Sequence, residues 1–354
     1  MQLIKMKTVS KKLALLLGAP ALVVALFSGC AQIQDFIFPA PNVPGEWNAL
    51  LTEVRAFERR IGFQETANFK TLYNAEAKSE TQSEYPMCSY APRFQLPYSY
   101  EDPLVRWGDA QNDADCRAAA KGEDVYFTMV EALGEIGTAV TATMLEGKLD
   151  RFLYLVIHED CHDQFDLPYG VEEALCNVLG YKGMAAFTEQ KYSGRAREGR
   201  AIRRYAETQS QLTRAVVAYY RQVEQLYARH ARQEIAAEAV LIERARIFGG
   251  AERTFGWKRQ AMNNAGLANE MTYSRHYQRL EAAHERLGND LQKTVAFFKQ
   301  VDKLKPTRAA VMKQHRISDE KSVEFVRIYE AAVMETVDRL LANATGNAHP
   351  GGLK

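Results

Sequence analysis

Two histidines four residues apart carry the sharpest chemical signal in this 354-residue chain: His158 and His162, in Leu153-Tyr154-Leu155-Val156-Ile157-His158-Glu159-Asp160-Cys161-His162. On a helix, positions four apart differ by about 40° in direction, so both imidazoles stand on one face and can grip one cation. Two imidazoles suit zinc, which takes nitrogen, sulfur and oxygen donors at about 2.0–2.3 Å in a tetrahedral array. Glu159 lies beside them, placed to take a proton from a bound water, whose pKa zinc brings from 15.7 to about 7. The apolar run ahead of His158 supplies the buried helix that such a pair needs.

A third donor is expected shortly after. Pro168 and Gly170 turn the chain, and a second helix opens with an acidic pair in Gly170-Val171-Glu172-Glu173-Ala174-Leu175-Cys176-Asn177. A carboxylate here can return to the metal and leave a fourth position for water. Glu173 is favoured, because Asn177 stands one turn on, where its amide can hydrogen-bond a ligand from behind. Glu172 as the ligand remains open, as does the plainer reading that both acids favour a helix N-terminus. Cys161 as a soft metal ligand is weaker, since two histidines and a glutamate already suffice.

These residues need a scaffold, and the composition allows one. The chain is 47 % apolar, 10 % aromatic and 25 % charged, a globular balance that excludes disorder and multiple membrane spans. A net charge of +1 leaves no polybasic field for nucleic acid. Residues 47–345 read as a single domain. Trp47 to Ile61 has helical spacing, residues 62–122 are irregular, and Asp124–Val130 reads as a strand. Ile136 to Leu145, rich in β-branched residues, reads as a second strand. Helices dominate from Leu149: a long stretch from Arg203 to Phe248, bent or split and ended by Gly249-Gly250, then about 264–286, 290–304 and 319–343, with breaks at Pro306 and Ser318. The fold class expected is mainly α with a small β element (α+β). His276 and His284 are expected on the surface, and no Gly-rich phosphate loop or G-x-S-x-G motif occurs.

The first residues read as an address. Lys5, Lys7, Lys11 and Lys12 precede the apolar stretch Leu13–Phe27, which is short for a membrane span and fits a secretory signal covering residues 1–29. Leu26-Phe27-Ser28-Gly29-Cys30 resembles a bacterial lipobox, which implies a lipid anchor on Cys30. Ala31 after it resembles outer-membrane sorting, so the expectation is a protein on the periplasmic face of the outer membrane. Residues 30–46, with Pro39, Pro41 and Pro44, would form a tether, and residues 346–354 a flexible tail. In an exported chain the other four cysteines read first as disulfides. Cys88–Cys116 and Cys161–Cys176 are favoured because each pair is close in the chain, with free buried thiols as the alternative.

The metal-site pattern resembles the gluzincin metallopeptidases, where a glutamate on a second helix completes an HExxH site. It is closer still to the putative aminopeptidase family of bacterial lipoproteins. Three stretches carry the resemblance: Leu133-Gly134 through Thr143-Met144-Leu145; His158 to Glu173 with Ala174-Leu175-Cys176; and Asn263-Asn264-Ala265-Gly266-Leu267 with Thr272-Tyr273, Gly288-Asn289-Asp290-Leu291 and Phe297. The family's usual H-E-L-A-H-Q is here His158-Glu159-Asp160-Cys161-His162-Asp163, with a charge and a thiol at apolar positions. The resemblance implies a gluzincin-like core with long C-terminal helices, zinc held by His158, His162 and Glu173, and a peptide substrate. Tyr273 is then a candidate donor to a developing oxyanion, with helix packing as its alternative role, and Asn263 or Asn264 could hold the substrate backbone. A Cys161–Cys176 bond would staple the two metal-binding helices together. The rival reading is a non-enzymatic envelope lipoprotein whose long helices bind a partner around a structural or vestigial metal site.

Overall fold

The computed structural model describes residues 45–70, 85–130, 137–141, 144–145, 148–192, 197–257 and 262–346. The signal segment, the Cys30 lipidation site, nearly all of the tether and most of the C-terminal tail lie outside these residues. Among the described residues no helix is long and apolar enough to cross a membrane.

The described residues open with α1 (Gly45–Ile61), whose Leu50, Leu51, Val54, Phe57 and Ile61 recur at helical spacing and are buried together. A three-stranded antiparallel sheet follows, built from β1 (Tyr85–Ala91), β2 (Arg106–Gly108) and β3 (Asp124–Val130) in the order β2-β1-β3. Cys88 pairs with Gly108 on one side and Phe127 on the other. Gly108 is needed there, because a Cβ would stand 2.8 Å from the Tyr90 ring. The short helix α2 (Asp113–Ala118), capped by Asn112, closes over one sheet face, and the Cys88–Cys116 disulfide fixes it with the two Cα atoms 5.8 Å apart.

The centre of the molecule is an antiparallel helix pair. α3 (Leu149–His162) and α4 (Tyr169–Tyr192) are joined by six residues, and the turn closes where Pro168 O accepts from the Val171 and Glu172 amides, each at 2.9 Å. Every residue of α3 from Phe152 onward is buried, which explains the continuous apolar run before His158. Gly180 and Gly183 let the helices approach closely; a Cβ at either would meet Tyr154 or Ile157 at 3.3 Å.

The 35-residue helix α5 (Arg197–Ala231) spans two apolar clusters. Its Ile202 and Ala206 join the main core with α1, α3 and α4. Its Val216, Tyr220, Val223 and Leu226 pack on Val240, Ile247 and Phe248 of α6 (Ala237–Phe255) and on Leu267 and Met271 of α7 (Asn264–Ser274). Four more helices complete the described residues: α8 (Tyr277–Arg286), α9 (Leu291–Leu304), α10 (Arg308–His315) and α11 (Val323–Gly346).

The mainly helical class with a small sheet is as expected, and β3 falls on its anticipated residues. Four expectations need correction. Gly249 and Gly250 lie inside α6, which ends at left-handed Gly256; Gly250 sits against the Tyr219 ring, and that packing offsets the helix penalty of glycine. The described part of 136–145 joins no sheet: Val140 makes an isolated bridge and Met144–Leu145 are helical. Its β-branched residues are instead buried, and Thr141 caps the Met144 amide at 3.0 Å. The expected helix 264–286 breaks at Arg275–His276, where the imidazole of His276 turns inward to Glu330 at 2.8 Å. His276 and His284 are therefore buried, not on the surface, and His284 meets the Thr294 hydroxyl at 2.8 Å.

Candidate metal centre

The α3–α4 hairpin brings His158, His162 and Glu173 to one point. His158 Nε2 lies 3.2 Å from Glu173 Oε2 and 3.3 Å from His162 Nε2, and His162 Nε2 lies 3.4 Å from Glu173 Oε2. A four-coordinate ion with bonds of about 2.0–2.1 Å holds its ligands about 3.3 Å apart. The three donor atoms thus form the triangle that one such ion requires, and the group can hold a metal ion. All three residues are buried, with side chains 5–7 % exposed. Burial alone would push the His162 imidazole down, but the carboxylates of Glu173 and Glu172 more than offset it and raise it well above its ordinary value. Burial would raise Glu173, yet the two imidazoles hold its carboxyl far below the usual range.

Glu172 has a different place from its neighbour. Its Oε1 faces His162 Nδ1 at 3.1 Å while its Oε2 accepts from the Leu167 amide at 3.0 Å. A carboxylate on Nδ1 fixes the tautomer with the proton there, leaving the Nε2 lone pair directed into the triangle. His158 is held otherwise: its ring leans on Tyr154 with centroids 5.1 Å apart, and its Nδ1 is buried without a hydrogen-bond partner.

The Cys161–Cys176 disulfide ties the two helices beside this triangle, with Cα atoms 5.5 Å apart. Cys176 Sγ comes to 4.0 Å from His162 Nδ1, on the side away from the three donors. The N-terminus of α4 is braced by Glu330, which also accepts from Tyr98 Oη at 2.7 Å. Gly170 makes room for it; a Cβ there would stand 2.5 Å from Glu330 Oε1.

Glu159 is buried, 8 % exposed, one residue further round α3. Its backbone carbonyl accepts from Asn68 Nδ2 at 3.2 Å, and the same amide reaches Asp160 Oδ1 at 3.1 Å. Asp160 also accepts from Thr66 Oγ1 at 2.5 Å. Glu58 of α1 faces it, and burial together with the Asp160 charge raises the Glu58 carboxyl well above its ordinary value. Asp160, unexpected at an apolar position, therefore anchors the metal helix to the segment 66–68 and α1.

Tyr273 stands on α7 with its ring centroid 6.4 Å from that of His158. Burial, then the charges of Glu173 and Glu159 among its neighbours, raises its hydroxyl far above the ordinary value, so it remains a protonated donor. Tyr169, four residues before Glu173 and on the same helix face, hydrogen-bonds that carboxylate, and Tyr100 Oη donates to Tyr169 Oη. The i, i+4 spacing of Tyr169 to Glu173 was the signal that could have found it. Tyr100 lies in an irregular segment, where no spacing points to it.

Three further residues of the expected site make hydrogen bonds to the surrounding fold. Asn177 Oδ1 accepts from Tyr154 Oη at 2.6 Å and its Nδ2 donates to the Tyr273 carbonyl at 3.4 Å. Asn263 caps α7 by accepting from the Gly266 amide at 3.1 Å, and its Nδ2 donates to Val125 O at 2.6 Å. Asn264 is fully buried; it accepts from Tyr227 Oη at 2.8 Å and donates to the Pro92 and Gln95 carbonyls at 2.7 and 3.1 Å. Both asparagines dock α7 onto the sheet and the loop after β1.

An HExxH helix, a glutamate from the next helix and a tyrosine from a third thus surround a group that can hold a metal ion. The family model described as putative aminopeptidase matches residues 107–315, and the chain belongs to that family. No curated protein and no solved structure matches this chain.

Proposed function

We propose that the protein is a zinc-dependent peptide hydrolase, an aminopeptidase, carried on the cell envelope by a lipid on Cys30 and facing the periplasm from the outer membrane. The observation that carries the reading is the 3.2–3.4 Å triangle of His158, His162 and Glu173, with the buried Glu159 next to His158 in the chain. Two imidazoles and a carboxylate would hold zinc and leave one position open. When bound, zinc supplies Lewis acidity, polarising a peptide carbonyl and acidifying water. Glu159 takes the proton of the attacking water and passes it to the leaving amine. Tyr273 donates a hydrogen bond to the oxygen on which negative charge grows, from a site where burial keeps its hydroxyl protonated. Support for export comes from the lysine-led apolar leader ending in Ser28-Gly29-Cys30 and from two disulfides, which suit an oxidising compartment.

The test is metal analysis with a peptide-library screen on three proteins. Wild type should hold one equivalent of chelator-removable zinc and cleave peptides. Glu159→Gln should keep the zinc and lose about 10²–10⁴ in rate, and His162→Ala should lose the zinc. Full activity in metal-loaded Glu159→Gln would overturn the mechanism. Zinc without turnover in wild type would favour a structural site.

A further inference from the structure

One group of polar atoms near the centre has no role in the mechanism above. On α7, one turn before Tyr273 and on the same face, stand Asn269 and Glu270. Asn269 is 7 % exposed; its Nδ2 faces Tyr126 Oη of β3 at 3.3 Å, and its Oδ1 is buried without a hydrogen-bond partner. The Glu270 carboxyl receives a hydrogen bond from Asn269, and among the described residues no lysine or arginine pairs with it. Burial pushes it up to about 7, the mark of a carboxylate lacking a counter-charge. The Tyr126 ring, stacked on Trp257 with centroids 6.3 Å apart and planes at 22°, forms the adjoining wall.

A carboxylate, an unsatisfied carbonyl oxygen and an aromatic ring are all acceptors. Together they suit a protonated nitrogen, which brings the missing donors and is attracted by the ring. We propose that Glu270 and Asn269, walled by Tyr126, form the subsite that binds a cationic nitrogen of the substrate, and so select among peptides. The inference rests on the peptide-hydrolase reading for its purpose, though not for its chemistry. One helical turn of about 5.4 Å separates Asn269 from Tyr273, whose ring is 6.4 Å from that of His158. At about 3.3 Å per extended residue, the cation comes either from an N-terminal amine a few residues from the cleaved bond or from a nearer lysine or arginine side chain.

Three probes separate these sources: Ala-Ala-Ala-amide with a free amine, N-acetyl-Ala-Lys-Ala-amide with only a side-chain charge, and uncharged N-acetyl-Ala-Ala-Ala-amide. Each is titrated calorimetrically into the full chain, zinc-loaded and carrying Glu159→Gln to suppress cleavage. One charged probe should bind at least tenfold more tightly than the uncharged one, and its identity names the source. The margin should vanish in Glu270→Gln and survive in part in Glu270→Asp, which keeps the charge. Equal binding of all three probes, no binding of any, a margin that persists in Glu270→Gln, or a margin lost equally in Glu270→Asp would each overturn the proposal. Charge-dependent binding in a protein whose wild type cleaves no library peptide would instead sink the hydrolase reading and leave the subsite standing.

Discussion

The division of labour between Glu172 and Glu173 can be tested by a single-atom change. Glu172→Gln keeps the volume of the side chain, and its remaining oxygen can still accept from the Leu167 amide, which now lies at 3.0 Å. What it removes is the charge facing His162 Nδ1 at 3.1 Å. With that oxygen kept on Leu167, the new amide NH2 faces the Nδ1–H of His162, donor against donor, so the whole charge-assisted hydrogen bond is lost, about 1.5–3 kcal/mol. At about 1.4 kcal/mol per decade, metal affinity should fall roughly 10- to 150-fold. The assay is zinc competition against a chromophoric chelator at pH 7.5 or thereabouts, with far-ultraviolet circular dichroism showing that the helices are intact. Glu173→Gln, which alters a donor of the triangle, should fall much further. The reasoning fails if Glu172→Gln strips the metal as completely as His162→Ala, which would make Glu172 a ligand. It fails equally if affinity is unchanged, because the carboxylate would then orient nothing.

The other expectations follow from neighbouring features. Removing the Cys161–Cys176 bridge as Cys161→Ala with Cys176→Ala should cost about 3 kcal/mol for its closed loop of 15 residues, read as a lower denaturant midpoint. The Cys88–Cys116 bridge, with a separation of 28, should cost about 3.5 kcal/mol. Burial, with Lys182 nearby, lowers the His284 imidazole to about 4, against about 6.5 when unfolded, so the native state resists a proton that the unfolded chain accepts. The stability this gives is whole above pH 6.5 or so and drains away between about 6.5 and 4, by up to about 3 kcal/mol. Chemical denaturation at a series of pH values should show a shallower acid loss in His284→Gln than in wild type. Equal slopes would remove His284 from the account.

How much of this was legible in the sequence depends on how local each signal is. His158, His162 and Glu173 obey helical spacing and a short turn, so pattern alone placed them near each other. The same holds for α1, whose buried residues keep helical period, whereas β3 was legible from its β-branched and aromatic residues rather than from alternation. The break at Arg275–His276 carries no glycine or proline; it exists because His276 reaches Glu330, which is 54 residues away in sequence. The end of α5 is similar: Gln233 takes a left-handed conformation in a stretch with no breaker residue. Asn263 and Asn264 looked like substrate groups because helix physics alone does not ask for two adjacent asparagines. Their partners lie in β3 and the loop after β1, and long-range docking of that kind leaves no periodic trace.

The departures from the usual HExxH sequence fall into place once each residue of the turn is assigned a direction. Successive positions on α3 rotate by about 100°, so His158 and His162 look toward the acidic start of α4 while Asp160 looks the other way. There it meets Thr66 and Asn68, and the polar side chain substitutes bonds for the apolar packing expected at its position. Cys161, rotated back toward α4, exchanges packing for a covalent tie to Cys176. Neither change replaces one of the three donors. The helix pair therefore fixes where those donors and Glu159 stand. On the proposed reading, selection of a substrate falls to β3 and α7, where Tyr126, Asn269 and Glu270 present acceptors that the fold itself leaves without a cation among the described residues.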